Sequence, residues 1–254
     1  MSDRLLAAIA VVMLLLSGPL QAGQRGGGAP QAPQAPRTTA PIDLTGYWVS
    51  LVTEDWRYRM VTPPKGDFQA VPMTPAAIKV AEAWDPEADE RAGLQCKSYG
   101  AAAIMRVPGR IRVTWQDDFT LRLETDNGMQ MRLFRFNAPA APPRRPSAKP
   151  TWQGDSIAEW QLSGRGRGAT GGLKVVTTNF LPGYLRKNGV PYSANAELRE
   201  YFDVAPLPGE GQVMVVTVSV IDPMYLDRQF VVTSQFKKEP DGSKWDPTPC
   251  SSTW

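Results

Sequence analysis

Histidine is absent from all 254 residues. Its absence removes Ser-His-Asp and Cys-His nucleophilic catalysis, together with most zinc sites. No Asp-rich loop of the D-x-D-x-D-G kind occurs either, so no calcium site is expected. Neither a metal nor a cofactor is implied. A strong excess of charge is also missing: 28 Lys and Arg stand against 25 Asp and Glu, a net +3. Nucleic-acid binders carry a concentrated basic face. Here the cations are dispersed, so nucleic acid is not an expected partner. Long apolar runs are lacking as well. Residues 5–16, LLAAIAVVMLLL, give only twelve, and a membrane-spanning helix needs about 20. Cysteine is scarce, at two.

What is there is ordered along the chain. Arg4, the apolar run and small Ala22 predict a secretory signal peptide over 1–22. After its cleavage no stable membrane insertion is expected, and the location is periplasmic or secreted in a bacterial envelope. Residues 23–41, GQRGGGAPQAPQAPRTTAP, show no apolar period. They cannot bury enough surface to offset their ordering entropy, and are read as a disordered tether. Residues 42–254 are expected to form a single domain. In an oxidising compartment, an even cysteine count makes a Cys96–Cys250 disulfide the natural expectation.

The body alternates with period two. In 108-PGRIRVTWQ-116, Ile111, Val113 and Trp115 share one face. In 119-FTLRLET-125, Phe119, Leu121 and Leu123 do the same. Asp126-Asn127-Gly128 then predicts a type I′ hairpin turn, and 129–136 returns. A Pro-rich loop is expected at 137–150. Further strands are predicted at 156–162, 173–180, 197–204, 212–221 and 228–237, with a Gly-rich hairpin loop near 163–172. One helix is predicted over 74–84, with Thr74 as N-cap and Pro75 in its first turn. A short turn is expected at 86–93. The fold class is therefore all-β: an antiparallel barrel of about eight or nine strands with one or two short helices.

Gly46-Tyr47-Trp48 on the first strand resembles the Gly-x-Trp opening of lipocalins and related calycins. That resemblance implies a lipocalin-like barrel holding one small apolar molecule. The order Asp43-Leu44-Thr45-Gly46-x-Trp48, 155-DSIAEW-160, 173-LKVVTTNF-180 and Asp222-Pro223 is also similar to a broad group of exported bacterial proteins of unassigned role. It implies export, and it supplies no catalytic residues.

The charged half of 43-DLTGYWVSLVTEDWRYRM-60 is the main candidate site. As a continuous strand it would place Glu54, Trp56, Tyr58 and Met60 on one face and Asp55, Arg57 and Arg59 on the other. Glu54 among aromatics would be a general acid or base, its pKa raised by desolvation. A break at Glu54-Asp55 would instead leave Glu54 at a solvated rim. Asp55 and the two arginines would then matter, because guanidinium forks grip carboxylate or sulfate. Tyr99 and Lys97 are weaker catalytic candidates, and Ser-x-x-Lys is not matched. Ligand contacts are expected from Trp56, Arg57, Tyr58, Arg59, Trp115 and Met131.

These readings predict an exported binding protein for a small hydrophobic or amphipathic molecule. Two rivals stay open. One is an isomerase, lyase or cyclase using Glu54, Asp55 or Tyr99. The other is a non-catalytic interaction protein of the envelope. Sequence sets no oligomeric state.

Overall fold

The computed structural model describes residues 34–137, 147–163 and 170–253. Nine strands form the body: β1 (Gly46–Leu51), β2 (Arg110–Asp117), β3 (Thr120–Thr125), β4 (Met131–Phe136), β5 (Asp155–Ser163), β6 (Thr170–Thr178), β9 (Glu197–Leu207), β10 (Gly211–Ile221) and β11 (Phe230–Glu239). They close in the order β1-β11-β10-β9-β6-β5-β4-β3-β2. The first and last strands are neighbours, which leaves no free sheet edge. A separate hairpin joins β7 (Gly183–Tyr184) to β8 (Pro191–Tyr192).

The all-β barrel matches the alternation in the sequence, with one difference. β4 and β5 run parallel, so the sheet is mixed and not purely antiparallel. Up-and-down alternation closes a ring only when the strand number is even, so nine strands require a parallel neighbour pair. β4 ends at Phe136 and its parallel neighbour β5 begins at Asp155; the expected Pro-rich loop falls between them in sequence. Its residues 138–146 lie outside the described residues, as does 164–169 of the Gly-rich loop.

The inward faces pack the interior. Trp48, Leu123, Phe134, Phe202, Met214 and Phe236 are all buried there. Trp48 donates its indole N–H to Leu44 O at 2.9 Å, and the Lys238 ammonium lies 4.3 Å from its ring centroid. Gly46 precedes it at φ +101°, a backbone setting that favours glycine. One ion pair sits among these apolar groups. Arg132 donates to both carboxylate oxygens of Glu200, with Nη1–Oε1 at 2.8 Å. Both side chains are sealed from solvent. Arg132 also reaches Thr177 Oγ1 at 3.3 Å. In β4 it is therefore Arg132 that points inward. Met131 points outward and is 47% exposed, so the expected pocket contact by Met131 is corrected.

The barrel ends differ. At one end, Trp115, Phe136 and Trp160 cluster with ring centroids 5.3–6.4 Å apart. Residues 34–41 lie against this end. Trp160 donates its indole N–H to Pro36 O at 2.8 Å, and Arg37 N donates to Asp118 O at 3.2 Å. Part of the stretch read as a tether thus contacts the barrel, through the Trp160 indole and the Asp118 backbone. Residues 1–33, which include the predicted signal peptide, lie outside the described residues.

The other end is capped by α1 (Trp56–Arg59), α2 (Pro75–Glu82), α3 (Pro86–Arg91), a 3-10 turn (Gln95–Tyr99), α4 (Ala101–Ile104) and the β7–β8 hairpin. Thr74 caps α2 by accepting from Ala77 N, and Asp85 caps α3 by accepting from Ala88 N. The stretch 95–104 is wound into two short helical turns, with Ser98, Tyr99 and Ala101–Ile104 buried. Cys96 and Cys250 form a disulfide across 154 positions, which ties the C-terminal tail to this cap. The tail also reshapes the expected hairpin turn. Thr248 N donates to Asp126 O and Gly128 N to Thr248 O. Positive φ falls on Gly128 and Met129, not on Asn127 and Gly128, so the turn is not type I′. A Cβ on Gly128 would come within 2.2 Å of the Tyr99 ring.

Candidate oxyanion site at the capped end

β1 ends at Leu51. Asp55 takes a left-handed conformation, φ 51° and ψ 27°, which aspartate tolerates better than most residues. The chain then turns into α1. This change of period reassigns every side chain that follows. With 3.6 residues per turn, Trp56 and Met60 share a face. That face is outward: they are 67% and 53% exposed. Arg59 rotates inward and is 1% exposed. The expectation of a strand face carrying Glu54, Trp56, Tyr58 and Met60 is therefore corrected, and the break at Glu54-Asp55 is what the chain adopts.

Arg59 meets cations from two distant segments. Arg106 follows α4, and Arg186 and Lys187 form the tip of the β7–β8 hairpin. All four are buried. They line one cavity of about 20 Å³ together with Tyr58 and Ser98. That volume takes one water-sized group, or one end of a larger ligand. Arg59 Nε donates to Arg106 O at 2.9 Å. Arg106 Nη2 donates to Asp55 Oδ2 at 3.0 Å. Arg186 Nη1 donates to Gln69 O at 2.7 Å, and its guanidinium lies 4.0 Å from the Tyr58 ring centroid. Five nitrogens are left over. Arg59 Nη1 and Nη2, Arg106 Nη1, and Arg186 Nε and Nη2 are buried without a hydrogen-bond partner among the described residues.

Such an arrangement is costly. A buried polar group without a partner costs free energy, and a buried charge costs more. Burial, and then repulsion by Arg106, hold Arg59 and Arg186 down to about 10. Both stay charged at neutral pH. Burial lowers Lys187 further, to about 7. Lys187 donates to Tyr99 Oη at 2.6 Å and to Ser251 O at 3.1 Å. Burial pushes the Tyr99 hydroxyl upward. Among the described residues, Asp55 is the only carboxylate that pairs with any of the three guanidiniums, through Arg106; Asp67 is bonded to Arg57. Positive charge exceeds negative among the residues that line the cavity, and the five unbonded nitrogens belong to three of them. A carboxylate, sulfate or phosphate oxygen has the charge and acceptor geometry to match.

Next to this cavity lies a cleft of about 340 Å³ lined by Glu54, Asp55, Ala70 and Phe230–Thr233. Arg106 joins the two: it bonds Asp55, and its guanidinium lies 5.9 Å from the Phe230 ring centroid.

The candidates from the sequence are only partly brought together. Arg59 and Tyr58 line the cavity, and Tyr99 is one bond away through Lys187. Asp55 and Glu54 sit on the adjoining cleft, where Glu54 accepts from Thr233 Oγ1 at 2.6 and 2.7 Å. Arg57 faces out and pairs with Asp67. Trp56 is exposed on the outer side of α1. Trp115 lies at the opposite end of the barrel, in the aromatic cluster. Lys97 is paired with Asp89 at 2.6 Å. Arg106, Arg186 and Lys187 were not singled out by sequence. The Asn188-Gly189 turn signal inside 183-GYLRKNGVPY-192 was the available clue, since cations flanking a tight turn are held together. Among the described residues, no group of three or more Asp, Glu or Cys side chains is placed to hold a metal ion, and no helix is long and apolar enough to cross a membrane.

No protein family, curated protein or solved structure matches this chain. The site therefore has to be read from its own residues.

Proposed function

We propose that this chain is an exported binding protein for a small amphipathic molecule with an oxyanion head group. The observation that carries the reading is the set of five buried, unbonded guanidinium nitrogens around one cavity. A fold retains such a cost where binding offsets it. The head group enters the arginine cavity. The apolar body lies along Phe230, Val231 and Val232 in the adjoining cleft, whose volume is in the usual range for ligand sites. The signal-like leader and the disulfide support export to an oxidising compartment. The lipocalin-like Gly46-x-Trp48 opening supports a carrier role.

Calorimetric titration tests the reading with matched alkyl ligands that differ only in head group. Alkyl sulfates and carboxylates are expected to bind at one site, and Arg106→Ala is expected to weaken them by about tenfold or more, the loss of one charge-assisted hydrogen bond. Equal binding of the matched neutral alcohol would contradict it.

A further inference from the structure

We propose that the ligand of this site is a zwitterion, an apolar α-amino acid or a close analogue. Its ammonium is held by Glu54 and Asp55, and its oxyanion by Arg59, Arg106 and Arg186. The inference rests on the oxyanion reading of the arginine-lined cavity and narrows its ligand class.

The adjoining cleft combines apolar and acidic lining. Phe230, Val231 and Val232 supply the apolar surface, and Glu54 and Asp55 supply two carboxylates. Both Glu54 oxygens lie within hydrogen-bond distance of Thr233 Oγ1. That hydroxyl has one hydrogen to donate, so the Glu54 carboxylate keeps acceptor capacity. Among the described residues no Lys or Arg pairs with it. Asp55 accepts from Arg106 through Oδ2 alone.

The acidic and basic groups are close together. Asp55 lines the cleft, and Arg106, which lines the cavity, bonds it at 3.0 Å. Ala70 also lines the cleft, and the backbone oxygen of Gln69 before it accepts from Arg186 at 2.7 Å. Glu54 and Asp55 both stabilise the Arg59 charge through space. An ammonium and an oxyanion held in these places are only a few atoms apart, as they are in an α-amino acid. The backbone adds support. Ala70 has φ 63°, a setting alanine seldom adopts, and strain of that kind clusters at ligand clamps.

Charge decides between a zwitterion and a plain anion. A plain carboxylate or sulfate beside Glu54 and Asp55 is repelled by both. An ammonium next to the oxyanion reverses this, because it meets the two carboxylates directly. It also brings three N–H donors to oxygens with room to accept them. A plain amine fails for the opposite reason, since it leaves the guanidinium nitrogens unbonded. The apolar side chain of the ligand lies along Phe230, Val231 and Val232.

Calorimetric titration of the intact, disulfide-bonded protein tests this with ligands of one alkyl length: 2-aminodecanoate, decanoate and the methyl ester of 2-aminodecanoate. The proposal expects 2-aminodecanoate to bind at one site, about tenfold or more tighter than either of the others, the effect of one charge-assisted hydrogen bond. Glu54→Gln is expected to shrink the preference over decanoate to about twofold or less. That preference is a ratio of affinities within one protein, so a partly unfolded variant does not mimic its loss. Decanoate bound by the wild type as tightly as 2-aminodecanoate overturns the inference and leaves the oxyanion site standing. A preference undiminished in Glu54→Gln overturns it too. A methyl ester bound as tightly as 2-aminodecanoate removes the arginine grip, and both readings with it. Binding of none of these ligands also removes both.

Discussion

Arg59 is the residue where stability and binding are most opposed. Its charge is buried, repelled by Arg106 and, among the described residues, bonded only through Nε. Replacing a poorly paired buried charge by an apolar group of similar length is often stabilising, by about 1–4 kcal/mol. Arg59→Met is therefore expected to raise the denaturant midpoint of the ligand-free protein while weakening oxyanion binding. Chemical denaturation of both proteins with and without sulfate reads the two effects separately. Lys187 makes a prediction about pH. Its folded pKa, about 7, lies below the ordinary lysine value. Between those values the unfolded chain binds the proton and the folded chain does not. The Lys187 penalty is thus full below pH 7 and is relieved as pH rises towards 10. The difference in unfolding free energy between wild type and Lys187→Met should move in favour of wild type over that window, by a few kcal/mol at most. A pH-independent difference would show that Lys187 titrates normally.

At the scale of elements, the decisive event is the exchange of period at Asp55. Period two was legible from Gly46 to Leu51, and the sequence offered Glu54-Asp55 as the place it could break. Which side chain the break would bury was not legible. That depends on Arg106 and the hairpin tip, which are more than 40 and more than 120 positions away. The same limit explains β4. Its alternation was visible, but Arg132 turns inward because Glu200 on β9 meets it, and no local pattern shows a cross-barrel partner. Removing that partner is expected to be severe. Glu200→Ala leaves a sealed guanidinium unpaired and should cost about 3–5 kcal/mol, while a joint Arg132→Met, Glu200→Gln variant recovers much of the loss. Equilibrium denaturation of the single and double variants measures the coupling. The tail is a further element whose role depends on a distant tie. Cys96 and Cys250 close a loop of 154 positions, and by the chain-entropy account the bond contributes about 5 kcal/mol. Reduction is expected to lower the unfolding free energy by up to that amount. It should also loosen the Ser251 contact to Lys187, seen as faster hydrogen exchange around 248–252.

On the scale of the whole molecule, a closed barrel divides the work between its ends. One end gathers Trp115, Phe136 and Trp160 beneath residues 34–41. The other gathers α1–α4, the β7–β8 hairpin, the disulfide and the cations. Barrel class and strand number could be read from alternation because they depend on local pattern. The parallel β4–β5 pair could not, since it follows from closure with nine strands. The arginine-lined cavity could not be read either, because it is assembled from three segments that meet only when the barrel closes and the cap folds over it. The central claim is that this convergence of cations exists to bind. The measurement that tests it most directly is sulfate titration of wild type and Arg59→Met by calorimetry, alongside their stabilities without ligand. The account predicts one saturable site in the wild type, lost or weakened at least about tenfold in the variant, and a variant more stable than wild type. No saturable binding by wild type, with Arg59→Met the less stable protein, would contradict it.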